Sequence, residues 1–265
     1  MDLIEWLRDV GKKYKLAPAA VFQKRGNLKW PLSISDEADL FAKLGSGGHF
    51  LPLPKEPAAL ANIMEVSLCD YISAQLKDMP GIEITRGKER HYPDLEVSGK
   101  ALDGKYFAID IKVARRAKGN KRTDSRITLY TGNTYFRYPQ LNWPGTFRPF
   151  QEYAQHIDVI ALYTLNEAAF HRIDDLELII HEAWRLGSKK RSSTTREYIG
   201  AVDKIDDIRA GLGEFSSKDE FYSYWRKHPF KIGKVVQQQL DRLLRAQGAA
   251  SATPSSTHAA RESKA

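Results

Sequence analysis

The sequence predicts a mixed α/β or α+β single domain on three observations. Apolar runs of strand length, such as His156 to Leu165, interleave with segments whose apolar residues recur at helical spacing, such as the stretch from Ala58. The two kinds do not alternate strictly and no internal repeat is present, which argues against a regular βαβ array or a solenoid. Hydrophobic residues make up 42% of the 265, enough to fill one sizeable core.

Leu3 to Tyr14 is amphipathic and reads as the first helix. A Pro-broken segment through "NLKWPLSI" and a Gly/Pro-rich stretch from Gly45 to Pro57 follow, irregular or forming a small sub-domain. From Ala58 onward, Leu60, Met64, Leu68, Tyr71 and Ile72 fall near helical spacing and predict a long amphipathic helix. Three strands are expected next, Ile82 to Arg86, Leu95 to Val97 and Tyr106 to Val113. His156 to Leu165 and Leu176 to Trp184 are mostly apolar and of strand length, so both are expected as buried central strands. Ser217 stands three residues before Glu220, a capping-box spacing, ahead of Phe221, Tyr224 and Trp225; a helix starts there, and another is expected from Ile232 to Leu244. At Ala246 the large apolar residues disappear. Residues 246–265 are therefore expected to be a disordered tail behind a single domain of residues 1–245.

Charge and cysteine content narrow the class. The formal charge is +8 and the pI near 9.4, the profile of a protein that meets a polyanion, with nucleic acid the first candidate. The tail holds only Arg261, Glu262 and Lys264, so the basicity belongs to the folded body. A lone Cys69 excludes an internal disulfide and a cysteine-rich zinc site, and suits a reducing cytoplasm. No run approaches the roughly 18 apolar residues of a membrane span, and the first residues lack the pattern of a signal peptide. A cytoplasmic protein without a membrane partner is expected.

The chemistry concentrates in "HYPDLEVSGKALDGKYFAIDIK", His91 to Lys112. Residues i and i+2 of a strand share a face, so Asp110 and Lys112 project together while Ile109 and Ile111 enter the opposite layer. The short turn in "SGKALDGK" lets the strand after Asp94 fold back, which brings Asp94 to the same end of the sheet. Converging carboxylates repel unless a cation lies between them, and hard oxygen donors suit Mg²⁺. Such a site can activate water and stabilise a phosphorane-like transition state, with Lys112 positioning the water or offsetting developing charge. An Asp-x-Lys pair alone is more often a solvated ion pair.

Further blocks change that weighing. Pro93-Asp94 followed by Asp110-Ile111-Lys112 has the form of the PD-(D/E)XK nuclease motif. "HYPD", "IDIK", "RPFQEYAQHIDVIALYT" and "FSSKDEFYSYWR", with "NLKWPL" ahead of them, resemble in order the blocks of the EcoRV-like family of type II restriction endonucleases. The resemblance runs from about Leu28 to about Arg226, with an extra stretch near Asp36 to Pro57. It implies a restriction-endonuclease-like core, a mixed central β-sheet flanked by helices, with an N-terminal dimerisation element around residues 15–57. Asp94 and Asp110 would be metal-binding carboxylates and Lys112 the catalytic lysine. Glu65 in "NIMEVSLCD" would be an accessory metal-binding or water-orienting glutamate, although from its own pattern it is an ordinary polar-face residue.

The resemblance further implies a Mg²⁺-dependent homodimer, with Mn²⁺ able to substitute, that cuts double-stranded DNA in a short palindrome of six base pairs. It implies blunt ends with 5′-phosphates, and a functionally linked DNA methyltransferase. Two other readings share the residues: a repair or recombination nuclease on the same core, and a non-catalytic DNA binder whose affinity comes from counterion release.

Basic clusters are the expected DNA contacts, although a run of charge is more often a solvated loop. "ARRAKGNKRTDSR" offers Arg115 and Arg116 just beyond the catalytic strand. "GSKKRSSTTREYIG" offers Lys189, Lys190, Arg191, Thr194, Thr195 and Arg196 where the family has its major-groove loop. The glycines and asparagine of that loop are replaced here by lysine and arginine, which favour guanine edges. Lys88 and Arg90 in "RGKER" match the family's other DNA-contacting loop, and Thr128 and Thr134 are candidates for phosphate contact.

Overall fold

The computed structural model describes residues 1–17, 35–39, 57–88, 91–166 and 173–251. Most of the expected dimerisation element, Arg90 and residues 252–265 lie outside the described residues.

The first helix, α1 (Leu3–Gly11), starts where the Asp2 carboxylate accepts the amides of Ile4 and Glu5, and buries Leu3 and Leu7. It ends three residues short of the expected Tyr14. Helix α2 (Pro57–Lys77) follows the predicted periodicity, burying Leu60, Met64, Leu68, Cys69, Ile72 and Leu76. Strands β1 (Glu83–Arg86), β2 (Leu95–Ser98) and β3 (Tyr106–Arg115) come next, then β4 (Thr128–Thr131), β5 (Tyr153–Leu165) and β6 (Ile173–Glu182). The chain continues through β7 (Gly187–Arg191), β8 (Tyr198–Ala201) and the helices α3 (Ile205–Ala210), α4 (Lys218–Lys227) and α5 (Lys234–Ser251).

Two sheets form. The larger has the order β1-β2-β3-β5-β6, antiparallel except where β3 and β5 run parallel; the smaller is β4-β8-β7. This is the mixed, helix-flanked sheet that the resemblance implies. Strand alternation splits the core in two. Ile109, Ile111, Ile157, Val159 and Ile180 pack with Leu3 and Leu7 of α1 and Leu68 and Ile72 of α2. On the other face, Ala108, Ala114, Ile160 and Leu162 pack with Tyr130, Phe136, Phe150, Phe221 and Trp225. Each fully buried large apolar side chain stabilises by roughly 1.5–3 kcal/mol, so the sheet is held from both sides.

Three expectations shift. The apolar run Leu176 to Trp184 is not a central strand: β6 lies at the sheet's edge, and the run closes in a 3-10 turn, Ala183–Leu186. Its Leu176, Leu178 and Ile180 face the layer of α1, whose Arg8 donates to the Ile180 carbonyl at 3.0 Å. The last helix, expected from Ile232 to Leu244, starts at Lys234 and runs to Ser251, past the composition change at Ala246. The Ser217 hydroxyl does cap α4, accepting the Glu220 amide at 3.1 Å, but the Glu220 carboxylate bonds Ser216 rather than closing a capping box.

Candidate active site

The site forms where β2 and β3 part. Their pairing runs from Val97↔Phe107 to Leu95↔Ile109 and stops, while β3 continues beside β5 to Arg115. Beyond the last pair the Ile111 amide needs an acceptor, and the Asp94 Oδ2 takes it at 2.6 Å. A carboxylate thus replaces a strand carbonyl at the fork. Asp110 and Lys112 share a face of β3, as their spacing requires, and Lys112 Nζ donates to Asp110 Oδ2. The pair occupies the sheet's central strand, and Asp110 is only 7% exposed.

Burial and crowding shape the electrostatics. Burial, then the neighbouring Asp110 charge, pushes the Asp94 carboxyl up to about 9, against the pull of Lys112 and the Ile111 amide. Burial works against the Lys112 ammonium, but Asp110, Asp158 and Asp94 outweigh it and raise its pKa. Glu65, half-buried on α2, is also raised, by burial and by Asp110, with Lys112 and Arg86 opposing. Glu65 therefore feels the same charges as Asp94. Among the described residues, however, no three His, Cys, Asp or Glu side chains come together closely enough to hold a metal ion, so Glu65, Asp94 and Asp110 do not form one three-carboxylate cluster.

The sequence reading missed Asp158. It is paired with Asp110 across the β3–β5 ladder, 1% exposed, and burial pushes its carboxyl well above the ordinary range, against the pull of Lys112. A lone acid in "HIDVIALYT" was the available signal. Behind it, the Tyr92 hydroxyl lies 2.5 Å from His156 Nδ1, and Tyr92 stacks on Tyr135 with centroids 4.8 Å apart.

The expected DNA-contacting residues divide by their partners. Exposed Lys88 follows Gly87, whose amide donates to the Asp94 carbonyl at 2.7 Å. A side chain at Gly87 would meet the Pro93 carbonyl at 2.6 Å, so this loop is tied directly to the Pro-Asp pair. Lys189 and Lys190 are exposed on β7, and Thr194, Thr195 and Arg196 are exposed in the turn before β8. The Ser193 hydroxyl orders that turn by accepting the amides of Thr195 and Arg196. Arg191 pairs with Glu197 at 2.8 Å and Thr128 with the Ser192 hydroxyl at 2.7 Å, bracing the loop rather than projecting from it. Thr134 is half-buried in the single π-turn Gly132–Phe136. Arg115 pairs with Asp124. Arg116 does not fit a DNA-facing role: its side chain is 6% exposed, bonded to Glu177 at 2.8 Å and to the Asp175 carbonyl at 2.6 Å.

The sequence profile of the family described as restriction endonuclease EcoRV matches residues 29–245, which takes in every element from α2 to α4. The chain belongs to the EcoRV restriction endonuclease family. It is similar to the type II restriction enzyme EcoRV of Escherichia coli, with 23% identity over 207 residues, covering 72% of this chain and 82% of that enzyme. The chain is accordingly a type II restriction endonuclease, a DNA-binding phosphodiester hydrolase, and the fork of β2 and β3 is its candidate active site. None of the described helices of this EcoRV-family chain is long and apolar enough to cross a membrane.

Proposed function

We propose that this enzyme hydrolyses both strands of double-stranded DNA in a Mg²⁺-dependent reaction, with Asp94 and Asp110 as metal-binding carboxylates and Lys112 as the catalytic lysine. The observation that carries this reading is the Asp94, Asp110 and Lys112 constellation, assembled on one buried fork of the sheet. The donor set fits a hard divalent cation. Two carboxylates share a low-dielectric fork in which one of them is driven toward its neutral form, the signature of a site short of positive charge. Mg²⁺ ordinarily takes one or two protein carboxylates and completes its shell with water and substrate phosphate, so a third protein acid is not required.

When bound, the cation supplies Lewis-acid polarisation of the phosphate and lowers the pKa of water. The protein's own groups then have separate tasks. Asp94 stays anchored to the Ile111 amide, which fixes its free oxygen. Lys112, held charged by its carboxylate neighbours, offsets negative charge that develops on the phosphate or orients the attacking water. Glu65, raised and half-buried, is placed to orient water from the α2 side or to help hold the cation. Lys88, Lys189, Lys190, Thr194, Thr195 and Arg196 are exposed and are proposed to contact DNA, with Arg191 and Thr128 shaping the loop that does so.

A homodimer acting on a short palindrome of six base pairs suits an enzyme with one such site per subunit, since two-fold symmetry in the protein matches two-fold symmetry in the DNA. Blunt ends with 5′-phosphates, use of Mn²⁺ in place of Mg²⁺, a cytoplasmic location and a linked DNA methyltransferase in a restriction-modification system complete the reading. Digestion of plasmid DNA with Mg²⁺ tests it, followed by sequencing of the fragment ends. Discrete fragments with one palindrome at every end support it. Structure-dependent nicking, or binding without cleavage, overturns it.

A further inference from the structure

Strand β5 carries an acid that the roles above leave unused. Asp158 stands opposite Asp110 in the parallel β3–β5 pairing, so both carboxylates project from the same face of the sheet as Lys112. Their neighbours agree with that assignment. Ile157 and Val159 pack in the layer of α1 and α2 together with Ile109 and Ile111, whereas Ile160 and Leu162 belong to the opposite layer with Ala108 and Ala114. Asp158 is 1% exposed, and its Oδ2 has no hydrogen-bond partner among the described residues.

An unpartnered buried carboxyl destabilises a domain, and valine or isoleucine would suit this position of an otherwise apolar strand. The neighbouring ammonium has a matching deficit. Lys112 has three N–H donors, of which one goes to Asp110, and its charge interacts with Asp158 as well. A spare donor and a spare acceptor thus face the same buried patch.

Resting on the proposed role of Asp110 as a cation-holding carboxylate, we propose that Asp158 is a positioning residue for Lys112. When Asp110 commits its oxygens to a divalent cation, Asp158 provides the second carboxylate that keeps the lysine ammonium on this face. Lys112 then need not follow Asp110, and the cation need not compete with the lysine for Asp110.

The test compares the full chain with Asp158→Asn, which keeps the size and removes the charge, and Asp158→Val, which suits the strand. Unfolding without metal, the Mg²⁺-induced rise in melting temperature without DNA, and steady-state cleavage are measured for each. Both variants are expected to be as stable as the unaltered chain or more so without metal, because a buried unpaired acid has gone. The Mg²⁺-induced rise should shrink in both. Their kcat should fall by about tenfold or more while KM for DNA stays within about twofold, since the change touches Lys112 and not DNA binding. A merely structural Asp158 predicts the opposite coupling, with activity following stability. The proposal is overturned if both variants keep kcat within about twofold of the unaltered chain, or if the Mg²⁺-induced rise is the same in all three proteins or absent from the unaltered chain. Should Asp158→Val not fold, Asp158→Asn decides. Failure of the unaltered chain to cut DNA would refute Mg²⁺-dependent cleavage, and the melting shift would still decide the role of Asp158.

Discussion

Acid should destabilise this enzyme through a histidine that the fold keeps neutral. His156 is 5% exposed, with Nε2 3.1 Å from the Phe150 carbonyl and Nδ1 2.5 Å from the Tyr92 hydroxyl. A carbonyl only accepts, so Nε2 carries the hydrogen and Nδ1 accepts from the tyrosine. The neutral ring uses both nitrogens, and a second proton on Nδ1 would break the Tyr92 bond. Burial first, then the charges of Lys218 and Arg226, hold the imidazole well below its ordinary pKa, with only the Phe150 carbonyl opposing. The unfolded chain therefore binds the proton first as pH falls. Stability from this residue is complete above the unfolded imidazole value near 6.5 and declines below it by about 1.36 kcal/mol per pH unit, or about 1.4 kcal/mol at pH 5.5.

Urea unfolding without metal at pH 7.5 and 5.5, on the unaltered chain and on His156→Gln, isolates the effect. The variant should be less stable at pH 7.5 yet lose less on acidification, by about 1.4 kcal/mol. Other groups cancel in that difference. His181 is lowered in the same way, by burial, and adds to the slope of both proteins. Asp94 acts with opposite sign: its folded pKa of about 9 is above the unfolded value, so the folded state takes up its proton first and gains stability as pH falls from 9. Equal pH differences in the two proteins would refute the neutral-histidine argument.

Three further outcomes are expected. Asp110→Ala should lower cleavage by at least about 10³-fold with little change in the circular dichroism spectrum; cleavage within tenfold of the unaltered chain would remove Asp110 from its proposed role. Arg148→Ala should cost about 3–5 kcal/mol in urea unfolding, because it leaves the buried Glu96 carboxylate, which Arg148 grips at 2.6 and 2.8 Å, without a counter-charge and with only the Tyr153 hydroxyl as donor; a cost below about 1 kcal/mol would place that pair in the class of surface bridges. Lys190→Ala and Arg196→Ala should each weaken DNA binding and reduce the slope of log K against log salt by about 1. Arg116→Ala should leave that slope unchanged and lower stability instead, which anisotropy titrations across a salt series distinguish.

What could be read from the sequence was what local pattern controls. The spacing of Leu60, Met64, Leu68 and Ile72 fixes the buried face of α2 whatever packs against it, and the Asp110–Lys112 alternation puts those two side chains together on any strand. Position within the sheet was not legible. Leu176, Leu178 and Ile180 face the layer that holds α1 while Ile179 and Ala183 face the opposite layer, and coverage on both faces leaves the same imprint as a central place in the sheet. Strand β7, "GSKKR", has no apolar pattern at all; it is defined by pairing with β8 and by the Trp225 indole, which donates to the Ser188 carbonyl at 3.1 Å. Arg116 read as part of a basic loop because its partner Glu177 lies 61 residues further on. Asp158 was hidden by its apolar surroundings, and only the β3–β5 register shows which residue it faces.

The fork explains why such costly groups can sit at the middle of a sheet. A β2 that continued alongside β3 would leave no opening beside Asp110, and the Ile111 amide would bond a strand carbonyl; ending β2 at Leu95 opens that space and makes Asp94 the replacement acceptor. Each buried polar group left without a partner costs about 1–3 kcal/mol, against a net stability of about 5–15 kcal/mol for a whole domain. Apolar layers on both faces of β3 and β5 offset that cost. A bound cation would relieve the same cost, so occupancy of the site and stability of the fold are thermodynamically linked. Substitutions that relieve the crowding should therefore stabilise the metal-free enzyme while weakening its response to metal.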